Sequence, residues 1–255
     1  MDKQTLEKIK KKAEFSKILD EDVEKVFQIF SKREVSEEEK IRLTRELLHR
    51  VFSSFTSRKL ISLKNKGEEW VLNKHLSTRE RLPHYKEVYR RIFKNVKGKI
   101  NIIDLGAGVN GFSYIFFPEE IKVNYLGFES MGQLVDLANS YFKKEKISGK
   151  MIQESLFNIY KIRNLIEREK GKKILFLFKT IEPLEMIEPN FSKKLILDIA
   201  DLFQLCVVSF ATESMSKRLR FKANKKWFLE FIKLNFKIKD DFEIGGERYI
   251  IFSKK

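Results

Sequence analysis

Apolar residues recur every three or four positions through the first part of the chain, then change near Lys99 to short unbroken apolar runs separated by helical stretches. Residues 3 to 18 set Leu6, Ile9, Ala13 and Phe15 among lysines and predict a first helix. A second is predicted after Asp20, with Val23, Val26, Phe27 and Phe30 on one face. A third is predicted from Ser36, whose following acids suit a capped, positive helix end, through Ile41, Leu43, Leu47, Leu48 and Val51. KINIIDLGAG then reads as a buried parallel strand entering a tight turn, because a β-branched run ends in Asp and glycines. VNYLGFES, KMIQES, KKILFLFKT and QLCVVSF predict four more strands, with helices across 131–143, 156–170, 190–203 and 224–235. The stretch from Phe236 predicts a hairpin turning at Gly245-Gly246. Such alternation implies an α/β fold, a doubly wound and mainly parallel sheet behind a helical N-terminal region.

With 255 residues, 42% of them hydrophobic, the chain has room for one α/β domain with a core and a smaller accessory region. Charge adds more. Lys and Arg number 52 against 36 Asp and Glu, a formal net charge of +16, which points to a polyanionic partner such as RNA. A heat-adapted surface, as in a thermophile, would explain the number of charges but not their imbalance. The sole cysteine, Cys206, excludes an internal disulfide and a Cys-based metal site, and its apolar setting gives it a packing role. No run of about 18 apolar residues or signal-peptide core is present, so a cytoplasmic protein without a membrane partner is expected, a monomer by default.

Basic residues cluster twice. Arg42, Arg45, Arg50, Arg58, Lys59, Lys64 and Lys66 stand against one acid, Glu46, and interleave with the aromatic and hydroxyl groups of VFSSFTSRK. Phosphate contacts use this mixture of donors. From Ser214 to Lys226 six more basic residues occur without an acid, among them Lys217, Arg218, Arg220 and Lys222.

The turn IIDLGAGVNG holds Asp104, Gly106, Ala107, Gly108, Asn110 and Gly111. Glycines after a first strand let the backbone approach a ligand, which in such folds sits beyond the carboxyl ends of the strands. Glu129, closing the second strand beside Ser130, is placed to accept from both hydroxyls of a ribose. Glu154 and Ser155, closing the third, stand where an adenine amino group would be met. The glycine spacing also fits the dinucleotide fingerprint literally. Asp104 favours the other reading, since a carboxylate there would crowd a pyrophosphate but suits the ammonium of a methionine moiety. The cofactor expected is therefore S-adenosyl-L-methionine.

HLSTRER, residues 75 to 81, resembles the HxSTRER motif that precedes the methyltransferase core of the aminoglycoside-resistance 16S rRNA guanine-N7 methyltransferases. The likeness continues through LFLFKTIEPLE, VVSF, NKKWF and EIGGERYIIF in the same order, and covers about residues 74 to 255. It implies a Rossmann-like class I methyltransferase domain over 74–255 with a seven-stranded sheet and a terminal hairpin, behind a basic helical RNA-binding region over 1–73. It implies that an arginine of the motif pairs with the cofactor carboxylate. Arg79 and Arg81 both qualify, with His75 beside them. Lys179 matches a lysine lining the site's mouth, and Ser209 and Phe210 stand where the family places the target base. Ser77 to Glu80 read as a capping box that would hold the arginine rigidly. After VVSF the chain departs from the family, which has a Pro and a Gly-containing loop there, so the target need not be the family's guanine.

Guanine N7 is an exposed lone pair with no proton to remove, and such an enzyme needs no general base. The chain has no NPPY-like motif after its fourth strand and no cysteine at a catalytic strand end. Phe178, Phe210 and Trp227 are candidate stacking partners for a flipped base. Three functions stay open on these grounds: N7 methylation of small-subunit rRNA, methylation of another RNA such as tRNA, and a non-catalytic RNA-binding or ribosome-assembly factor.

Overall fold

The computed structural model describes residues 1–53, 67–212 and 226–255. Strands β1 (Gly98–Leu105), β2 (Ile121–Glu129), β3 (Gly149–Gln153), β4 (Lys173–Phe178), β5 (Leu205–Ala211), β6 (Phe236–Ile244) and β7 (Glu247–Lys254) form one sheet in the order β3-β2-β1-β4-β5-β7-β6. The first five pair in parallel, and the terminal hairpin adds β7 antiparallel to β5. Chain direction across the sheet reverses between β1 and β4, the switch point beside which ligands bind in such sheets.

Helices α1 (Lys3–Lys10), α2 (Asp20–Ser31), α3 (Glu37–Leu48), α4 (Glu68–Lys74), α5 (Leu76–Arg81), α6 (Tyr85–Ile92) and α7 (Gly132–Lys144) lie on or behind one face. The other face is covered by α8 (Ile159–Glu167), α9 (Ile181–Ile187), α10 (Phe191–Ile199) and α11 (Lys226–Asn235). Side chains alternate along each strand. Ile100, Ile102, Ile174, Phe176 and Phe178 therefore join the first core, with Val23 and Val26 of α2 and Tyr85 and Tyr89 of α6. Ile103, Leu105, Leu175 and Leu177 join the second, with Ile196 and Phe228. No helix among the described residues is long and apolar enough to cross a membrane.

Several local expectations change. The first helix stops at Lys10 rather than at residue 18. Beyond it the chain makes tight turns that bury Phe15 and Ile18 and leave the carbonyls of Ala13 and Lys17 to accept from Gln133, Gln153 and the Gly132 N–H. Packing onto the sheet outweighs local propensity there. Ser36 does cap α3, its Oγ accepting from Glu39 N at 3.2 Å. The capping box in HLSTRER does not form. His75 stands at the cap position of α5, Ser77 and Thr78 lie inside it, and the Thr78 hydroxyl donates back to the carbonyls of Leu72 and His75. The residues after the glycine turn form a 3-10 helix, Asn110–Phe116.

Candidate functional site

At the end of β1 the chain turns through Gly106 (φ 72°) and Gly108 (φ 53°), the left-handed region that glycine adopts freely. A Cβ on Gly106 would lie 2.8 Å from Thr180 Cγ2, and one on Gly108 would lie 3.1 Å from the His75 ring. This close packing opens a cleft of about 870 Å³, mouth included, beyond the carboxyl ends of β1, β2 and β4. Of the residues singled out in the sequence, Asp104, Gly106, Ala107, Gly108, Asn110, Glu129, Ser130, His75, Arg81 and Lys179 line it.

Each charged group in the cleft is held by identifiable partners. Asp104 Oδ2 accepts from Asn110 Nδ2 at 2.7 Å and from Tyr125 Oη at 2.6 Å. Burial nevertheless pushes its carboxyl up to about 6, against the pull of those donors and of Arg81. Glu129 accepts from the N–H of Gly108 at 2.8 Å and of Met131 at 3.0 Å, one on each oxygen, and burial raises its pKa too. Each oxygen keeps a second lone pair for a ligand. Burial depresses His75 to about 3, helped by Arg81 and Lys179, so the imidazole is neutral.

The structure separates the two arginines of the motif. Arg79 is exposed, whereas Arg81 is buried in the cleft wall. Its guanidinium pairs with Glu247 at 2.7 Å and also donates to Tyr249, Tyr85, Asn110 and, at 3.4 Å, Ser77. These acceptors occupy the fork expected for a ligand carboxylate, so Arg81 acts on the cleft as a fixed charge. Lys179 sits beside it in the left-handed region (φ 55°), pairing with Glu80 and, at 3.5 Å, with Glu247.

Other predicted residues lie elsewhere. Ser209 faces Glu247, to which it hydrogen-bonds behind Arg81, and does not line the cleft. Phe210, one position on, alternates to the opposite face and packs edge-on against Phe228 in the second core. The expected place of Phe210 beside a target base is thus corrected by the sheet's own alternation, whereas Ser209 keeps to the cleft's face of the sheet but is tied to Glu247. Phe178 lines the cleft, with Phe176 stacked on it at 4.5 Å, while Trp227 is exposed on α11 beneath Lys193. Glu154 and Ser155 are buried outside the lining: Glu154 pairs with Lys161 of α8 at 2.5 Å, and Ser155 donates to Asp22. Cys206 is buried, and burial raises its thiol pKa.

Among the basic residues, Arg42 is exposed but tied to Glu39 and Glu46, and Arg45 donates to the carbonyls of Lys8 and Ile9, pinning α3 to α1. Arg50 is exposed in the π-turn His49–Ser53. Arg58, Lys59, Lys64, Lys66, Lys217, Arg218, Arg220 and Lys222 lie outside the described residues. The sequence reading missed Asp22, Val51 and Phe52 from the N-terminal helices, which also line the cleft. Glu247, the buried partner of Arg81, was overlooked as well, although it sits in the quoted EIGGERYIIF.

Residues 63–227 match the model of the ribosomal RNA methyltransferase (FmrO) family. A 16S rRNA (guanine(1405)-N(7))-methyltransferase of Proteus mirabilis is 24% identical over 190 residues, spanning 72% of this chain and 64% of that protein. One of the same description from Micromonospora rosea is 25% identical over 148 residues, 58% of this chain and 51% of that one. The chain therefore spans less than two thirds of the length of these relatives. The solved structure of 16S rRNA methyltransferase RmtF in complex with S-adenosyl-L-homocysteine has a TM-score of 0.79 at 19% identity, over 100% of both chains. That of the 16S rRNA methylase ArmA is 28% identical with a TM-score of 0.59, covering 74% of this chain and 92% of that one.

Proposed function

The chain belongs to the ribosomal RNA methyltransferase (FmrO) family, and from that premise we propose that it transfers a methyl group from S-adenosylmethionine to guanine N7 of small-subunit ribosomal RNA. The observation that carries this reading is the charge order of the cleft. Buried acids, Asp104 and Glu129, line it along β1 and β2, and cations, Arg81 and Lys179, line it from α5 and the end of β4.

The groups present fit such a ligand. Asp104 is a buried carboxylate without an ionic partner among the described residues, which suits an incoming ammonium. Glu129 retains acceptor capacity for the ribose hydroxyls, and Arg81 with Lys179 supplies a positive potential for a carboxylate. Neutral His75 adds no repulsion toward a sulfonium. The 3-10 turn after the glycines lacks the α-helix N-terminus that a pyrophosphate would use, which weighs against a dinucleotide.

S-adenosylmethionine supplies a methyl group on a positively charged sulfur, open to in-line displacement. The chain's residues then have only to hold donor and acceptor in line. Guanine N7 offers a lone pair and loses no proton, so the reaction asks for no general base. Residues 1–73 serve as the basic RNA-binding region and 74–255 as the catalytic domain. The test is incorporation of labelled methyl groups into purified 30S particles and bulk tRNA. Label in 30S alone, at guanine N7, supports the reading, and label confined to tRNA overturns its substrate.

A further inference from the structure

We infer that Asp22, delivered by α2 of the N-terminal helical region, is the carboxylate that recognises the adenine amino group of the cofactor. The inference rests on the cofactor reading above. Asp22 lies in the first turn of α2, is buried, and lines the cleft together with Glu129 and Ser130. Its Oδ2 accepts from the Ser130 hydroxyl and its Oδ1 from the Ser155 hydroxyl. Those serines follow Glu129, at the end of β2, and Glu154, just beyond β3. Asp22 therefore stands between the two strand ends that would flank a nucleoside base, in a frame fixed by both. A carboxylate oxygen offers more than one acceptor site, so each retains capacity after taking a hydroxyl proton. Its hydrogen-bond partners in this frame are hydroxyls, and the group suited to it is a neutral N–H donor.

Glu154 is the competing acceptor, since its Oε1 is buried with no hydrogen-bond partner among the described residues. Yet it does not line the cleft, and its other oxygen is held by Lys161 of α8, on the far side of the sheet. Further contacts hold α2 in register with the strand ends: Lys25 pairs with Glu188 at 2.6 Å and lies over the Phe157 ring, and Ile18 bridges Met131. A wall of the cleft thus comes from residues otherwise assigned to RNA.

Hypoxanthine replaces the adenine amino group with a carbonyl, and a buried carboxylate would reject it by about tenfold to a hundredfold. The test compares calorimetric affinities for S-adenosylhomocysteine and S-inosylhomocysteine in the full-length protein. Wild type should prefer the adenosine compound by that margin. Asp22→Asn, whose amide can donate to the carbonyl, should bring the ratio to near one or reverse it, and Glu154→Gln should keep it. A ratio near one in wild type, or one erased by Glu154→Gln, would overturn the assignment. The Glu154→Gln arm leaves Asp22 in place and decides the question even if Asp22→Asn fails to fold. Binding of neither compound by wild type would overturn the cofactor reading and this assignment together.

Discussion

On the second face of the sheet, Ile103, Leu105, Leu175 and Leu177 meet Ile196, Phe228 and Phe252 in an apolar core. On the first face the same strands set Asp104 and Glu129 among Tyr85, Tyr125 and Tyr249, with Arg81 and Glu247 paired in the interior. One face is closed by shape alone, the other by a connected set of donors and acceptors that ends in a cleft. Buried polar groups cost free energy unless each finds a partner. Their concentration on one face therefore marks where the protein gives up stability for chemistry.

Breaking the polar face at its most buried pair should have the largest effect. Glu247→Ala leaves the Arg81 guanidinium uncompensated and should lower unfolding stability by about 3–5 kcal/mol in urea titrations. It should also weaken S-adenosylmethionine binding, because Arg81 loses its anchor. On the apolar face, Leu175→Ala should cost about 2–5 kcal/mol but leave cofactor affinity of the folded protein unchanged. A matching loss of affinity from both variants would remove the distinction between the faces.

The pH dependence sharpens the comparison further. The Asp104 carboxyl is raised from 3.8 to about 6, so its contribution to stability is fully present below the unfolded value and lost as pH rises through about 6. A bound ammonium favours the ionised form, so cofactor affinity should run the other way and fall as pH drops through about 6. Asp104→Asn should abolish both trends, as measured by thermal melts and calorimetry across that window. The smallest effect is expected at Arg79, which is exposed. Arg79→Ala should change stability by under about 0.5 kcal/mol and leave cofactor affinity where it was.

The strands were legible because buried parallel strands read as unbroken apolar runs, and the places of Asp104 and Glu129 in the cleft lining because they follow from local position at strand ends. The same unbroken runs hid the alternation that sends Phe210 to the second core, since QLCVVSF is apolar on both faces. The burial of Arg81 rather than Arg79 was within reach. Ser77, Arg81 and Tyr85 recur at four-residue spacing, and all three are buried. Asp22 was not within reach, because its partners Ser130 and Ser155 lie 108 and 133 residues away in the chain. In the local pattern it reads only as one of three acids in a first helical turn. Glu247 likewise gains its meaning from Arg81, 166 residues earlier.

The most direct measurement is calorimetric titration of S-adenosylmethionine and of NAD into the wild-type protein and into Asp104→Asn near neutral pH. A cleft built around a buried carboxylate predicts that wild type binds S-adenosylmethionine and not NAD, and that the Asn variant loses about tenfold or more in affinity. Equal affinity of both proteins for S-adenosylmethionine, or NAD bound in its place, would contradict it.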